Sequence, residues 1–316
     1  MAGGLRPAVE AHFVRPQWGE AVSVVKSLAG IGLALACLAP SPARTQARPP
    51  VPKSVLFRLT FEIGEGPARD SGTAWLLRLG RSRVAVTAYH VFAGRAAARD
   101  PTFRSRSIDS VARRVTLTSV DPPELSLVLG PNIPIDQAAM NSPRDVAAFR
   151  VPRLPTAAAL RLASRPPVVG DTLWVFARLR GDSASRGLLH PASLVWVDST
   201  GMLYYVLHEA LMPSEDVRRR EAARLSADSA LSAFVRANGY RAARFFHMIY
   251  TSGAPVLDAR GTVVGMHVAA AVVADARADS AMARCCSGWP DDQYLGIGVP
   301  GDSIGSLIQR ALLRHP

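Results

Sequence analysis

Cysteine and lysine are both scarce in this sequence. Three cysteines in 316 residues exclude a disulfide-dense scaffold. Lys26 and Lys53 are the only lysines, so arginine carries nearly all of the formal net charge of +12. No apolar run reaches the ~18–20 residues that a membrane-spanning helix needs, which excludes a multi-pass membrane protein. Blocks of like charge are absent as well. The arginines are interleaved with carboxylates along the whole chain, so nucleic acid is not an expected partner despite the basic balance. What remains is a core-forming composition, 48% hydrophobic and 20% charged, which excludes wholesale disorder. Its length suits one large domain or two small ones.

Residues 1–47 read as a signal peptide and leader. Lys26 precedes Ser27 to Ala39, a run without charge, and small residues with prolines lead to Thr45-Gln46-Ala47, a small-x-small cleavage site. Glu10 and Glu20 are unusual upstream of a signal, so a translation start near Val25 is the expectation. The chain is therefore expected to be exported, to the periplasm or beyond. Cys37 follows Ala34-Leu35-Ala36, a poor lipobox, so lipid anchoring through Cys37 is the lesser alternative. After cleavage only Cys285 and Cys286 remain, and neighbouring cysteines make no structural framework.

Beyond the leader, short apolar and alternating runs are separated by turn chemistry, the pattern of an all-β barrel or sandwich. A first set covers Val55–Phe61, Thr73–Leu79, Arg83–Thr87, Val115–Thr118, Leu125–Leu129 and Val146–Val151. A second follows the proline-containing stretch 152–167: Thr172–Ala177, Ala192–Val197, Met202–Leu207, Val256-Leu257 and Val263–Val268. Asp258-Ala259-Arg260-Gly261 is a hairpin signal between the last two. Helical patterns are expected across about 214–238, as an insertion, and over Ser303–Leu313 at the C-terminus. The expected domains are 48–155 and 156–316.

Three segments carry residues suited to chemistry. His90 ends the apolar run Val84-Ala85-Val86-Thr87-Ala88-Tyr89; Asp145 opens Val146-Ala147-Ala148-Phe149; Ser252 sits in Thr251-Ser252-Gly253-Ala254-Pro255. Each has an ordinary structural use alone. Together they form the set nucleophilic catalysis needs: a hydroxyl, an imidazole to take its proton, and a carboxylate to orient the imidazole. His190, His208 and His247 read as surface or loop residues without metal-ligand spacing.

These segments resemble those of the trypsin-like, chymotrypsin-fold serine peptidases, in the bacterial form related to glutamyl endopeptidases and HtrA-type enzymes. The order His, Asp, Ser also separates them from α/β-hydrolases. The resemblance implies two six-stranded antiparallel β-barrels, a protein or peptide substrate, and no metal or cofactor. It makes His90 the general base, Asp145 its orienting carboxylate and Ser252 the nucleophile. The backbone N–H groups of Ser252 and Tyr250 would form the oxyanion hole. Tyr250 stands where the family has glycine, and Thr251 where zymogen-forming members carry aspartate. Gly265-Met266-His267 resembles the Gly-Ile-His segment of glutamyl endopeptidases, which implies that His267, with Val268 and Ala269, lines an S1 pocket for acidic side chains. The alternative for His267 is a strand histidine satisfied by its neighbours. The alternative for the whole chain, supported by Tyr250, is an inactive protease-fold binding module.

Overall fold

The computed structural model describes residues 48–63, 69–96, 104–105, 108–121, 125–140, 142–151, 158–178, 187–208, 251–277, 283, 286–291 and 293–315. The leader, the whole of the expected helical insertion at about 214–238 and Tyr250 lie outside the described residues, as do Cys37 and Cys285. Among the described residues no helix is long and apolar enough to cross a membrane.

Alternation builds the first sheet. In β1 (Leu56–Ile63), Phe57, Leu59 and Phe61 are buried, while Arg58 points outward. It pairs with β2 (Arg69–Leu79) and β4 (Ala112–Ser119). The two-residue turn Gly80-Arg81 returns β2 into β3 (Ser82–Thr87), with Leu79 opposite Ser82. Two short helices, α1 (His90–Ala96) and α2 (Ile108–Val111), follow before β4. The set is completed by β5 (Ser126–Val128), β6 (Asn132–Ile133) and β7 (Ala147–Arg150).

The second sheet holds β8 (Thr172–Ala177), β9 (Leu188–Val197), β10 (Leu203–Leu207), β11 (Pro255–Leu257), β12 (Val263–Val272) and β13 (Tyr294–Pro300). It closes into a six-stranded barrel in the order β10-β13-β12-β11-β8-β9. A five-residue helix, α3 (Val273–Arg277), follows β12, and α4 (Gly301–Arg314) ends the chain with Ile304, Leu307, Ile308 and Ala311 buried.

Two six-stranded barrels were expected, and the first is not one. Its strands form a seven-stranded open sheet, β5-β4-β1-β2-β3-β7-β6. The break lies at Gly130-Pro131. Leu129 N–H still donates to Val115 O on the β4 side, whereas Gly130 N–H donates to Arg150 O on the β7 side. Pro131 has no N–H with which to extend either ladder. The expected strand Leu125–Leu129 is β5 alone, and the unexpected two-residue β6 beyond Pro131 pairs on the opposite edge.

A connecting segment stitches the sheets together. Leu160 N–H donates to Leu76 O (2.8 Å) and Arg78 N–H to Leu160 O (2.9 Å). Three residues on, Ala163 N–H donates to Val263 O and Val263 N–H to Arg161 O. The main hydrophobic core includes buried residues of both sheets and of α4, among them Phe57, Trp75, Leu77, Leu160, Val263 and Ile308.

Candidate active site

Register brings His90 and Asp145 together. In the antiparallel pair β3–β7, Thr87 stands opposite Ala147, so the chain leaving β3 passes the chain entering β7. His90 is the first residue of α1, which is held down by Phe92 packed between Phe61 (centroids 4.6 Å) and Phe149 (5.4 Å). Asp145 is fully buried and accepts twice from His90: the backbone N–H at 2.9 Å on Oδ1, and Nδ1–H at 2.8 Å on Oδ2. A carboxylate only accepts, so Nδ1 carries the hydrogen and Nε2 keeps its lone pair. The His90 side chain is 23% exposed against 0% for Asp145, so the imidazole reaches solvent while its partner does not. Burial opposes the imidazolium; the Asp145 charge and hydrogen bond outweigh it, and the His90 pKa is raised above its ordinary 6.5.

Ser252 lies half-buried in the turn Thr251–Ala254, which closes through Ala254 N–H donating to Thr251 O at 2.8 Å. Both sheets hold this turn. Thr73 N–H on β2 donates to Ser252 O (2.9 Å), and Gly253 N–H donates to His267 O on β12 (2.8 Å). Gly253 has φ +91° and no room for a side chain: a Cβ there would lie 2.5 Å from Thr87 Oγ1 and 3.1 Å from Ala88 N. The serine's turn is thus packed within two residues of His90. Among the described residues no hydrogen bond joins the Ser252 hydroxyl to His90; such bonds commonly tighten only around substrate.

His267 sits directly behind this turn, with its N–H donating to Ala254 O at 2.8 Å. It is buried, its Nδ1 is 2.6 Å from Tyr205 Oη, and burial first, then the nearby His90 and His190, lowers its pKa to about 3. Val268 is buried in the main core, and Ala269 packs partly buried against it.

The profile of the trypsin-like peptidase domain matches residues 72–266, more than half of the chain. The chain belongs to the trypsin-like peptidases. As a member with its His–Asp pair in place, this trypsin-like peptidase is a serine hydrolase. It is similar to solved structures at low identity. The active form of the Rv3671c protease from M. tuberculosis is 13% identical, covers 92% of this chain and 94% of its own, and has a TM-score of 0.44. For the serine endoprotease from Yersinia pestis the values are 8%, 83%, 64% and 0.45. No curated protein is significantly similar.

Of the histidines expected at the surface or in loops, His190 of this trypsin-like peptidase differs from the expectation. His190 is 5% exposed, inside the protein rather than on its surface, because it occupies a buried position of the alternating strand β9. His208 is half-buried, 2.7 Å from Ser193 Oγ through Nε2 and stacked on Trp289. His247 is outside the described residues. The Tyr205–His267 pair has no local signal in the sequence, since its members stand 62 positions apart.

Proposed function

We propose that this trypsin-like peptidase is an exported serine endopeptidase of the glutamyl-endopeptidase and HtrA-like kind, with 1–47 a removable leader and 48–155 and 156–316 its two domains. His90 is the general base, Asp145 its orienting carboxylate and Ser252 the nucleophile. The observation that carries this reading is the doubly accepted, fully buried Asp145, which leaves a single lone pair of His90, on Nε2, for the substrate side.

The chemistry follows from that lone pair. Ser252 Oγ attacks the scissile carbonyl carbon while its proton passes to His90 Nε2. The carbonyl oxygen takes the electron pair and becomes an oxyanion, facing the N–H groups of Ser252 and Tyr250. Collapse expels the amine, which takes the proton back from His90 and leaves an acyl-Ser252. Water, deprotonated by His90, then attacks the ester; the acid leaves as Ser252 Oγ is expelled and takes the proton back from His90. Asp145 stays ionised and stabilises the imidazolium in both halves. His267, with Val268 and Ala269, is the S1 wall that favours acidic side chains; its buried, neutral ring supports a hydrogen-bonding rather than a cationic contact.

Labelling with a fluorophosphonate probe tests this. Wild-type protein is expected to label and Ser252→Ala is not. A folded wild-type protein that fails to label, or a Ser252→Ala variant that labels equally, overturns the assignment and favours the binding-module alternative.

A further inference from the structure

Tyr205 lies on β10, fully buried, with its hydroxyl 2.6 Å from His267 Nδ1. The space for its ring comes from β13, the neighbouring strand. Gly296 is the register partner of Tyr205, and Gly298 is the partner of His267. A Cβ at Gly298 would stand 3.3 Å from Tyr205 Cε1, and one at Gly296 would overlap the ring. Two glycines on one strand thus leave a slot for the ring, which reaches through it to the histidine.

The proton count in this pair has one solution. A phenol has one hydrogen, and among the described residues the Tyr205 hydroxyl has one partner, Nδ1. Burial keeps the phenol protonated, raising its pKa well above 10. Tyr205 O–H therefore donates and Nδ1 accepts. A neutral imidazole has a single N–H, so that of His267 is on Nε2. Among the described residues His190 Nε2 is the only histidine nitrogen both sealed from solvent and without a partner; His267 Nε2 is not in that condition.

We propose that Tyr205 is a positioning residue for specificity: its hydroxyl locks His267 in the tautomer that offers an N–H, not a lone pair, to an acidic P1 side chain. This rests on the acidic-P1 reading of His267. Without the hydroxyl the other tautomer becomes accessible, and its Nε2 lone pair repels a carboxylate.

Peptides that differ only at P1, carrying Glu, Gln or Leu, test the proposal with wild type and Tyr205→Phe. Wild type is expected to prefer Glu; Tyr205→Phe is expected to lose about tenfold in kcat/KM on Glu, the worth of one hydrogen bond, and little on Gln or Leu. Nitrogen-15 NMR of the His267 ring supplies a readout independent of turnover: Nε2–H alone in wild type, a tautomer mixture in Tyr205→Phe. Gly298→Ala keeps the hydroxyl but crowds the ring, and should weaken the Glu preference in the same direction if the Phe variant does not fold. Equal cleavage of Glu and Gln by wild type sinks the acidic-P1 reading and the specificity role with it. A Glu preference that survives in the variants, or an Nδ1–H in wild type, overturns the lock alone.

Discussion

Asp145 acts on His90 in two separable ways, through charge and through hydrogen-bond direction, and Asp145→Asn separates them. Asparagine keeps the shape but can present an amide N–H₂ to Nδ1, which moves the imidazole hydrogen to Nε2 and removes the base. A loss of about 10⁴ in kcat is the expected result, the size found for this change in such triads. The pH profile moves too. With the charge gone, burial is unopposed, so the His90 pKa should fall from its raised position. In wild type the base must be neutral, so kcat/KM rises with pH through a value above 6.5. Folding stability runs the opposite way: the pair's contribution is complete below pH 6.5 and fades as pH climbs through the raised pKa. NMR titration of His90 in both proteins checks the sign, and an unshifted His90 in Asp145→Asn would sink this account. The candidates His90, Asp145 and Ser252 each lie in a distinctive local segment of the sequence, and of these the structure joins His90 to Asp145. Tyr205 was not, because its role depends on a ring 62 positions away and on glycines of a third strand.

At the scale of elements, the hairpin β11–β12 shows which local signals are self-sufficient. Asp258 Oδ1 accepts from the N–H groups of Arg260 and Thr262 at 2.9 Å each, and Oδ2 accepts from Thr262 Oγ1 at 2.7 Å. Asp198 repeats much of this in the β9–β10 hairpin, accepting from Thr200 and Met202 N–H. Asp258→Ala removes the acceptor and leaves those donors to solvent, at a cost of about 1–3 kcal/mol. For a domain of this size that is a fall in Tm of about 2–4 °C per kcal/mol, measurable by thermal unfolding. Activity should be unchanged in the folded variant, because the catalytic end of this hairpin is fixed separately by the Gly253–His267 and His267–Ala254 bonds. A lost kcat at unaltered Tm would contradict that division. The hairpin was readable from four residues. The strand β13 was not: all seven of its residues are buried, so there is no alternation to see, and Gly296 and Gly298 interrupt its apolar run. Only its neighbours β10 and β12 make it a strand. Likewise the break at Pro131 has no strand-length signal around it, and it makes the first sheet seven-stranded and open where six closed strands are expected.

For the molecule as a whole, the buried histidines of the second sheet set an acid limit. His190 is held at about 4 by burial and then by Arg48, and His267 at about 3. An unfolded chain protonates both near 6.5. Their folded pKa values are depressed, so the stability they permit is complete above pH 6.5. It is lost as pH falls toward 4 and 3, where the unfolded state binds protons that the native state refuses. For His190 alone the loss by pH 4 is on the order of 3 kcal/mol, which is serious against a typical total of about 5–15 kcal/mol. His190→Leu isolates the effect, because it removes the titration together with a buried Nε2 that has no partner. Urea unfolding from pH 7 to pH 4 should show a steep decline for wild type and a shallower one for His190→Leu, with no loss of stability at pH 7. Activity would then fall in acid for two reasons. Protonation of His90 reverses at once on return to neutral pH, whereas loss of the barrel recovers only at the rate of refolding. Parallel unfolding curves for the two proteins would move the cause of acid lability away from His190, to the surface carboxylates whose protonation leaves a chain of net charge +12 still more positive.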